Sequence, residues 1–173
     1  MKDVNVGICG LGTVGGGTFN VLTRNASLIT GRTGFNLRIA RVATRTPRND
    51  IDLGDIPFST DIFDVVNDPS VDVVVELIGG YDTAELVLAA IRNGKHVVTA
   101  NKALIAVHGN EIFEAAAKQN VIVSYEAGVA GGIPVIKAVR EGMAANRVDW
   151  IAGIINGTGN YILTEMRAGR EFA

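Results

Sequence analysis

The stretch Gly10-Leu11-Gly12-Thr13-Val14-Gly15 can do chemistry through its backbone alone. In a G-x-G-x-x-G run, one glycine makes a tight turn and the second lets peptide N–H groups approach a phosphate. The third lets a helix press against a strand. The pattern carries meaning only between a strand and a helix. Here it follows the β-branched run Val4–Cys9 and precedes a helical stretch. The helix N-terminus then offers unpaired N–H groups and a positive dipole end to a pyrophosphate. The simpler alternative is a glycine-rich turn with no ligand. A dinucleotide fold that selects a ribose 2′-OH carries a carboxylate at the end of its second strand. This sequence has Ala43-Thr44-Arg45-Thr46-Pro47-Arg48 there, with no acid. Arg45, with Arg48 near it, suits a 2′-phosphate, which favours NADP over NAD. The alternative is two solvated arginines on a loop.

Three more segments fall at strand ends, where open parallel sheets bind ligands. Glu76-Leu77-Ile78-Gly79-Gly80 has glycines that permit close backbone approach, Gly79 among them. Thr99-Ala100-Asn101-Lys102 and Tyr125-Glu126-Ala127-Gly128 close the next two strands. A lysine beside a nicotinamide can hydrogen-bond a reacting oxygen or take part in proton transfer. Position alone does not separate that role for Lys102 from a surface lysine at a helix start. Glu126 can carry chemistry, cap a turn or bind a cation. His96 reads as structural, His108 as a solvated loop residue, and Cys9 as a small apolar residue of a buried strand. No zinc-ligand spacing and no Ser-His-Asp set is present.

The elements that must position these groups read as alternating strands and helices, the mark of βαβ units. Strands are expected over Val4–Cys9, Leu37–Thr44, Val71–Ile78, His96–Ala100 and Val121–Glu126. Helices are expected over Thr13–Ile29, Thr83–Asn93 and His108–Gln119. Together they predict an α/β fold, a Rossmann-type doubly wound parallel sheet. Near Gly128 the character changes. A helix opens around Pro134 and runs to about Ala144, and Val148–Ile155 alternates like a strand. A last helix ends near Arg167. The reading is a dinucleotide-binding domain over residues 1–130 and the incomplete start of an α/β substrate and dimerisation domain over 131–173.

The bulk properties agree. A chain of 173 residues with 47% hydrophobic residues and a mean hydropathy of +0.26 buries a core, which excludes a disordered chain. A net charge of −2 argues against nucleic acid as a partner, and no apolar run reaches membrane-spanning length. One cysteine and no secretory leader pattern point to a cytoplasmic, reducing setting.

Five segments in order, "GLGTVG" (Gly10–Gly15), "ELIGG" (Glu76–Gly80), "TANKALIAVHG" (Thr99–Gly109), "YEAGVAGGIPVIKAVREG" (Tyr125–Gly142) and "GIINGTGNYILTEM" (Gly153–Met166), resemble homoserine dehydrogenases. The resemblance spans nearly the whole chain, and the last three segments are far more specific than the glycine loop. It implies an oxidoreductase interconverting L-homoserine and L-aspartate 4-semialdehyde with NAD or NADP, in threonine, methionine and isoleucine biosynthesis. It implies cofactor contacts from Thr13, Val14 and Arg45, and Lys102 as a catalytic residue beside cofactor and substrate. With the strand ends, the expected cofactor set is Gly10, Leu11, Gly12, Thr13, Val14, Gly15, Arg45, Gly79, Thr99 and Lys102. It implies a monovalent cation, usually Na⁺, on backbone carbonyls of Glu126, Val129, Gly131 and Ile133, and a homodimer. The family's substrate carboxylates and second catalytic lysine follow the NGT segment, whereas this chain ends at Ala173. The expectation is therefore a piece of a longer enzyme, without a fused N-terminal aspartate kinase, and inactive alone. The alternatives are a truncated NADP-binding module, and an amino-acid dehydrogenase using the same loop. The "NKAL" and "GGIP…NGT" segments argue against the latter.

Overall fold

The computed structural model describes residues 2–172. The chain divides into two compact units, residues 1–136 and 137–173.

In the first unit, β-branched runs become strands because their side chains pack on a pleated surface and lose little freedom there. The strands are β1 (Lys2–Cys9), β2 (Phe35–Ala43), β3 (Phe58–Ser59), β4 (Val73–Glu76), β5 (His96–Thr99) and β6 (Val123–Ser124). All pair in parallel, in the spatial order β3-β2-β1-β4-β5-β6. Successive residues face opposite sides of the sheet. Val6 and Ile8 join Val42, Val75 and Phe19 of α1 (Thr13–Arg24) in one apolar cluster. Cys9, Ala43, Val74 and Val97 join a second cluster. It is shared with α3 (Phe63–Asn67), α4 (Ala84–Arg92) and α5 (Lys102–Gln119), the helices that contribute Val65, Leu86, Ile91, Leu104 and Ile112. Each fully buried Leu or Ile contributes roughly 1.5–3 kcal/mol of transfer free energy. Two clusters on two faces are what a doubly wound sheet requires, as the sequence predicts.

Several elements differ from expectation. The first helix stops at Arg24, and after Asn25 a separate α2 (Ala26–Thr33) ends at Gly34, whose φ is +75°. The segment β3–α3 is not anticipated. The third long helix starts at Lys102 and not at His108, because the Asn101 side chain caps it by accepting the Leu104 N–H at 3.1 Å. His108 therefore lies inside α5, 3.7 Å from the Glu111 carboxylate, and not in a loop.

A short helical turn, α6 (Val135–Lys137), crosses the division and continues as one π-type turn, Ala138–Gly142. In the second unit, α7 (Gly157–Arg167) is capped by Asn156, whose side chain accepts the Gly159 N–H at 2.7 Å. Val148–Ile155, expected as a strand, has no regular structure. A strand is defined by ladder bonds to a neighbour, and no described residue supplies them. Trp150 and Ile155 are 79% and 96% exposed. No helix among the described residues is long and apolar enough to cross a membrane.

Candidate active site

The turn after β1 is built from backbone on backbone. Gly10 has φ +97° and donates its N–H to the Ala43 carbonyl at 2.7 Å. A Cβ on Gly15 would lie 1.9 Å from the Gly10 carbonyl oxygen, so only glycine lets α1 sit this close to the strand end. Gly12 is the opposite case. It directly precedes α1, no atom lies within 4 Å of where its Cβ would be, and no side chain caps the helix. This helix end has room beside it and no side-chain cap, as a pyrophosphate site requires. Leu11 is buried beneath the turn. Thr13 and Val14 are exposed on the first helical turn, Val14 at 55%.

This turn borders a cleft of about 730 Å³. Gly10, Thr44, Thr60 and Leu77 line it, and each directly follows a strand, so the cleft lies at the carboxyl ends of the sheet. Arg45 lines it too. Its guanidinium is exposed and has no ion-pair partner among the described residues. Arg48 is committed instead. It pairs with Asp50 through two hydrogen bonds and reaches the Leu11 carbonyl at 3.3 Å. The hydrogen bonds from Arg48 hold the Asp50 carboxyl down at about 2. The structure thus separates the two arginines that the sequence left side by side. Arg45 is the one free to meet a 2′-phosphate. A cavity of about 770 Å³ opens at the other end of the strands, where the buried Lys95 ammonium donates to the Asp68 and Val71 carbonyls. Size does not decide between the two. The cleft beside the glycine turn is the one bordered by the uncapped start of α1.

The next strand ends are held by a residue that sequence reasoning passed over. Glu76 is fully buried at the end of β4. Its Oε1 accepts the N–H groups of Ile78 (2.9 Å) and Gly79 (3.2 Å), and its Oε2 accepts the Thr99 hydroxyl at 2.6 Å. Thr99 Oγ1 accepts the Asn101 N–H at 2.9 Å, and the Asn101 amide donates to the Gly80 carbonyl at 2.7 Å. The N–H groups of Ile78 and Gly79 are therefore turned inward, so this loop is not a second phosphate site. Gly79 and Gly80 are exposed with φ of +80° and +83°. The Thr99 side chain is buried and committed to Glu76 and Asn101, so Thr99 can meet a cofactor only through its backbone. The signal was available in the sequence: a carboxylate closing an apolar central strand must find partners. Burial, with Glu76 adding to it, pushes the Cys9 thiol up to about 12, which fits a packing role for that residue.

Lys102 is the first residue of α5, with an exposed side chain. It does not line the cleft, and its link to the Gly79–Gly80 loop runs through Asn101. Gly128 packs close by, the position of a Cβ on it lying 3.6 Å from the Lys102 backbone nitrogen. The chain from Glu126 to Ile133 curls through Ala130 (φ +49°) and Gly132 (φ +84°), and the Glu126 carboxylate accepts the Ile136 N–H at 2.9 Å. Within this segment the Glu126 carbonyl accepts the Val129 N–H at 3.2 Å. Among the described residues no group of three or more His, Cys, Asp or Glu side chains could hold a metal.

Parallel strands in this order, with an open glycine turn over a cleft at their carboxyl ends, define a dinucleotide-binding domain. Residues 10–126 match the NAD-binding domain of homoserine dehydrogenase, and residues 134–173 match the homoserine dehydrogenase family. The chain is 67% identical to homoserine dehydrogenase of Pseudomonas aeruginosa over 99% of its own length and 40% of that protein. It is 56% identical to that of Neisseria gonorrhoeae, over 100% of itself and 40% of that protein. The crystal structure of a homoserine dehydrogenase from Thiobacillus denitrificans superposes with a TM-score of 0.86 at 58% identity, over 97% of this chain and 39% of that one. The chain belongs to the homoserine dehydrogenase family, and it spans about two fifths of the length of the curated relatives it matches.

Proposed function

We propose that this chain is the cofactor-binding portion of an enzyme that interconverts L-homoserine and L-aspartate 4-semialdehyde, with NADP preferred and NAD the alternative. The observation that carries the reading is the open Gly12 turn beside a cleft lined by an unpaired Arg45. The bound nicotinamide supplies hydride acceptance and donation. The turn Gly10–Gly15 with Leu11 beneath it holds the pyrophosphate through the N–H groups at the start of α1, Thr13 and Val14 flank it, and Arg45 meets the 2′-phosphate. Gly79 and the Thr99 backbone border the nicotinamide end. Lys102 lies beside both cofactor and substrate, where it would hydrogen-bond the reacting oxygen and take part in its proton transfer. The carbonyls of Glu126, Val129, Gly131 and Ile133 hold a monovalent cation, Na⁺ by preference. The division into a dinucleotide domain over 1–130 and a substrate and dimerisation segment over 131–173 belongs to the same reading. So do a homodimer, a cytoplasmic setting, and a place in threonine, methionine and isoleucine synthesis.

A second reading, cofactor binding without turnover by these 173 residues alone, is favoured by one observation. Homoserine's ammonium needs carboxylates, and after Asn156 the only acids are Glu165, which pairs with Arg170, and Glu171. Titration of NADPH and NADH against this chain, followed by nicotinamide fluorescence, tests the proposal. NADPH is expected to bind more tightly. Arg45→Ala is expected to weaken NADPH more than NADH by roughly 1–3 kcal/mol, the range for a charge-assisted hydrogen bond. Equal losses for both would remove Arg45 from the site, and absence of binding by either would overturn the reading.

A further inference from the structure

We infer that Glu76 is a positioning residue for Lys102, acting through Thr99 and Asn101; this rests on the reading that Lys102 stands at the cofactor site. The hydrogen bonds have one direction. Thr99 Oγ1 accepts the Asn101 N–H and donates its own proton to Glu76 Oε2. That fixes the backbone at Asn101. The Asn101 carbonyl-type oxygen then caps α5 at the Leu104 N–H, while its NH₂ donates to the Gly80 carbonyl and to the Thr83 hydroxyl at 3.1 Å. Lys102 lies between those anchors, with its side chain exposed and no side-chain partner among the described residues. The backbone from which it projects is therefore set by the bonds of the buried carboxylate. A core built for stability alone fills such a position with an apolar side chain, since burying a carboxylate is costly unless every lone pair is served. All three bonds of Glu76 instead run to the carboxyl ends of β4 and β5, where the cofactor site lies. One carboxylate thus sets both the Ile78–Gly80 loop and the lysine that follows the next strand.

A double-mutant cycle on this chain tests the relay, with NADPH affinity and thermal melting measured together. Thr99→Val cuts the link to Asn101 and leaves the bonds from Glu76 to Ile78 and Gly79 in place. It is expected to weaken NADPH roughly tenfold, with Thr99→Ser restoring most of the affinity. In a Lys102→Ala background the same Thr99→Val change is expected to cost less than about twofold, since the group being positioned is gone. Glu76→Gln, alone and with Lys102→Ala, gives a second cycle should Thr99→Val not fold. Equal losses with and without Lys102 would overturn the inference. So would a lower melting temperature with unchanged affinity, which is the signature of a purely structural carboxylate. If the unchanged chain binds no NADPH, the functional reading itself falls, and that outcome is distinct from binding with additive losses.

Discussion

Gly12 and Gly15 stand three residues apart in one motif, yet they are expected to fail in opposite ways. A methyl group at Gly15 would sit 1.9 Å from the Gly10 carbonyl oxygen and 2.8 Å from its carbon. Neither is the far end of a flexible side chain, so α1 or the turn must move. Overpacking a well-filled core costs typically about 1–3 kcal/mol, and a backbone collision belongs at or above the upper end. For a chain of this size, about 3 kcal/mol corresponds to a melting point lower by roughly 6–12 °C. Gly12→Ala meets nothing within 4 Å, and the backbone there (φ −63°, ψ −161°) is one that alanine adopts. Its melting point is expected to stay within the range of ordinary surface changes, about 0.5 kcal/mol. The new methyl group does stand where the pyrophosphate must approach, and NADPH affinity is expected to fall at least roughly tenfold. Thermal denaturation and fluorescence titration of both variants separate the two losses. The reasoning is refuted if Gly15→Ala melts with the unchanged chain, or if Gly12→Ala binds NADPH as tightly as before.

Two other perturbations follow from the geometry. Asp68 accepts hydrogen bonds from Ser70 and from Arg41, which together hold its carboxyl down at about 2. On acidification the unfolded chain takes up this proton first, so the stabilisation is intact above about pH 4 and is lost as pH falls through about 2. Asp68→Asn is expected to be less stable by about 1–2 kcal/mol at neutral pH, with the gap closing near pH 2. A gap that persists unchanged at pH 2 in urea titrations would show that the carboxylate is not its source. On the proposed function, in a protein of the relatives' full length that carries this chain, Lys102→Ala is expected to lower kcat well over tenfold with an unchanged far-UV spectrum. Near-normal turnover would return Lys102 to the role of a surface lysine.

The parts of the fold legible in the sequence were those where one local signal sufficed. Val4–Cys9 and Val71–Ile78 declare strands by their β-branched runs, the second wider than the observed Val73–Glu76, and the glycine spacing declares the turn between β1 and α1. What was lost depended on pairing across distance. The β3–α3 segment is too short to show a period, with two strand residues and five helical ones. The start of α5 hides in Asn101-Lys102-Ala103-Leu104, where the cap is one side chain on one N–H. Val148–Ile155 alternates correctly, but alternation describes a strand's faces and does not supply the neighbour it must bond. At the site, the sequence put Arg45 first with Arg48 beside it, and could not show the Asp50 contact that commits Arg48, which is a matter of rotamers. Glu76 was overlooked because its partners lie 2, 3 and 23 residues away, and only the fold brings the last of them within reach.

The strand that leads the chain, β1, ends up in the middle of the sheet, flanked by β2 and β4. During synthesis it therefore leaves the ribosome before either neighbour exists. The Asn5 N–H is satisfied by Asp72, 67 residues later. At roughly 5–20 residues per second, that interval lasts roughly 3–13 s. Both edges of this apolar segment are unpaired until β2 emerges, and the edge that β4 covers stays open to wrong partners to the end of it. Destabilising changes in β4 should thus act most strongly on the yield of newly made protein, and less on the lifetime of molecules that have already closed the sheet.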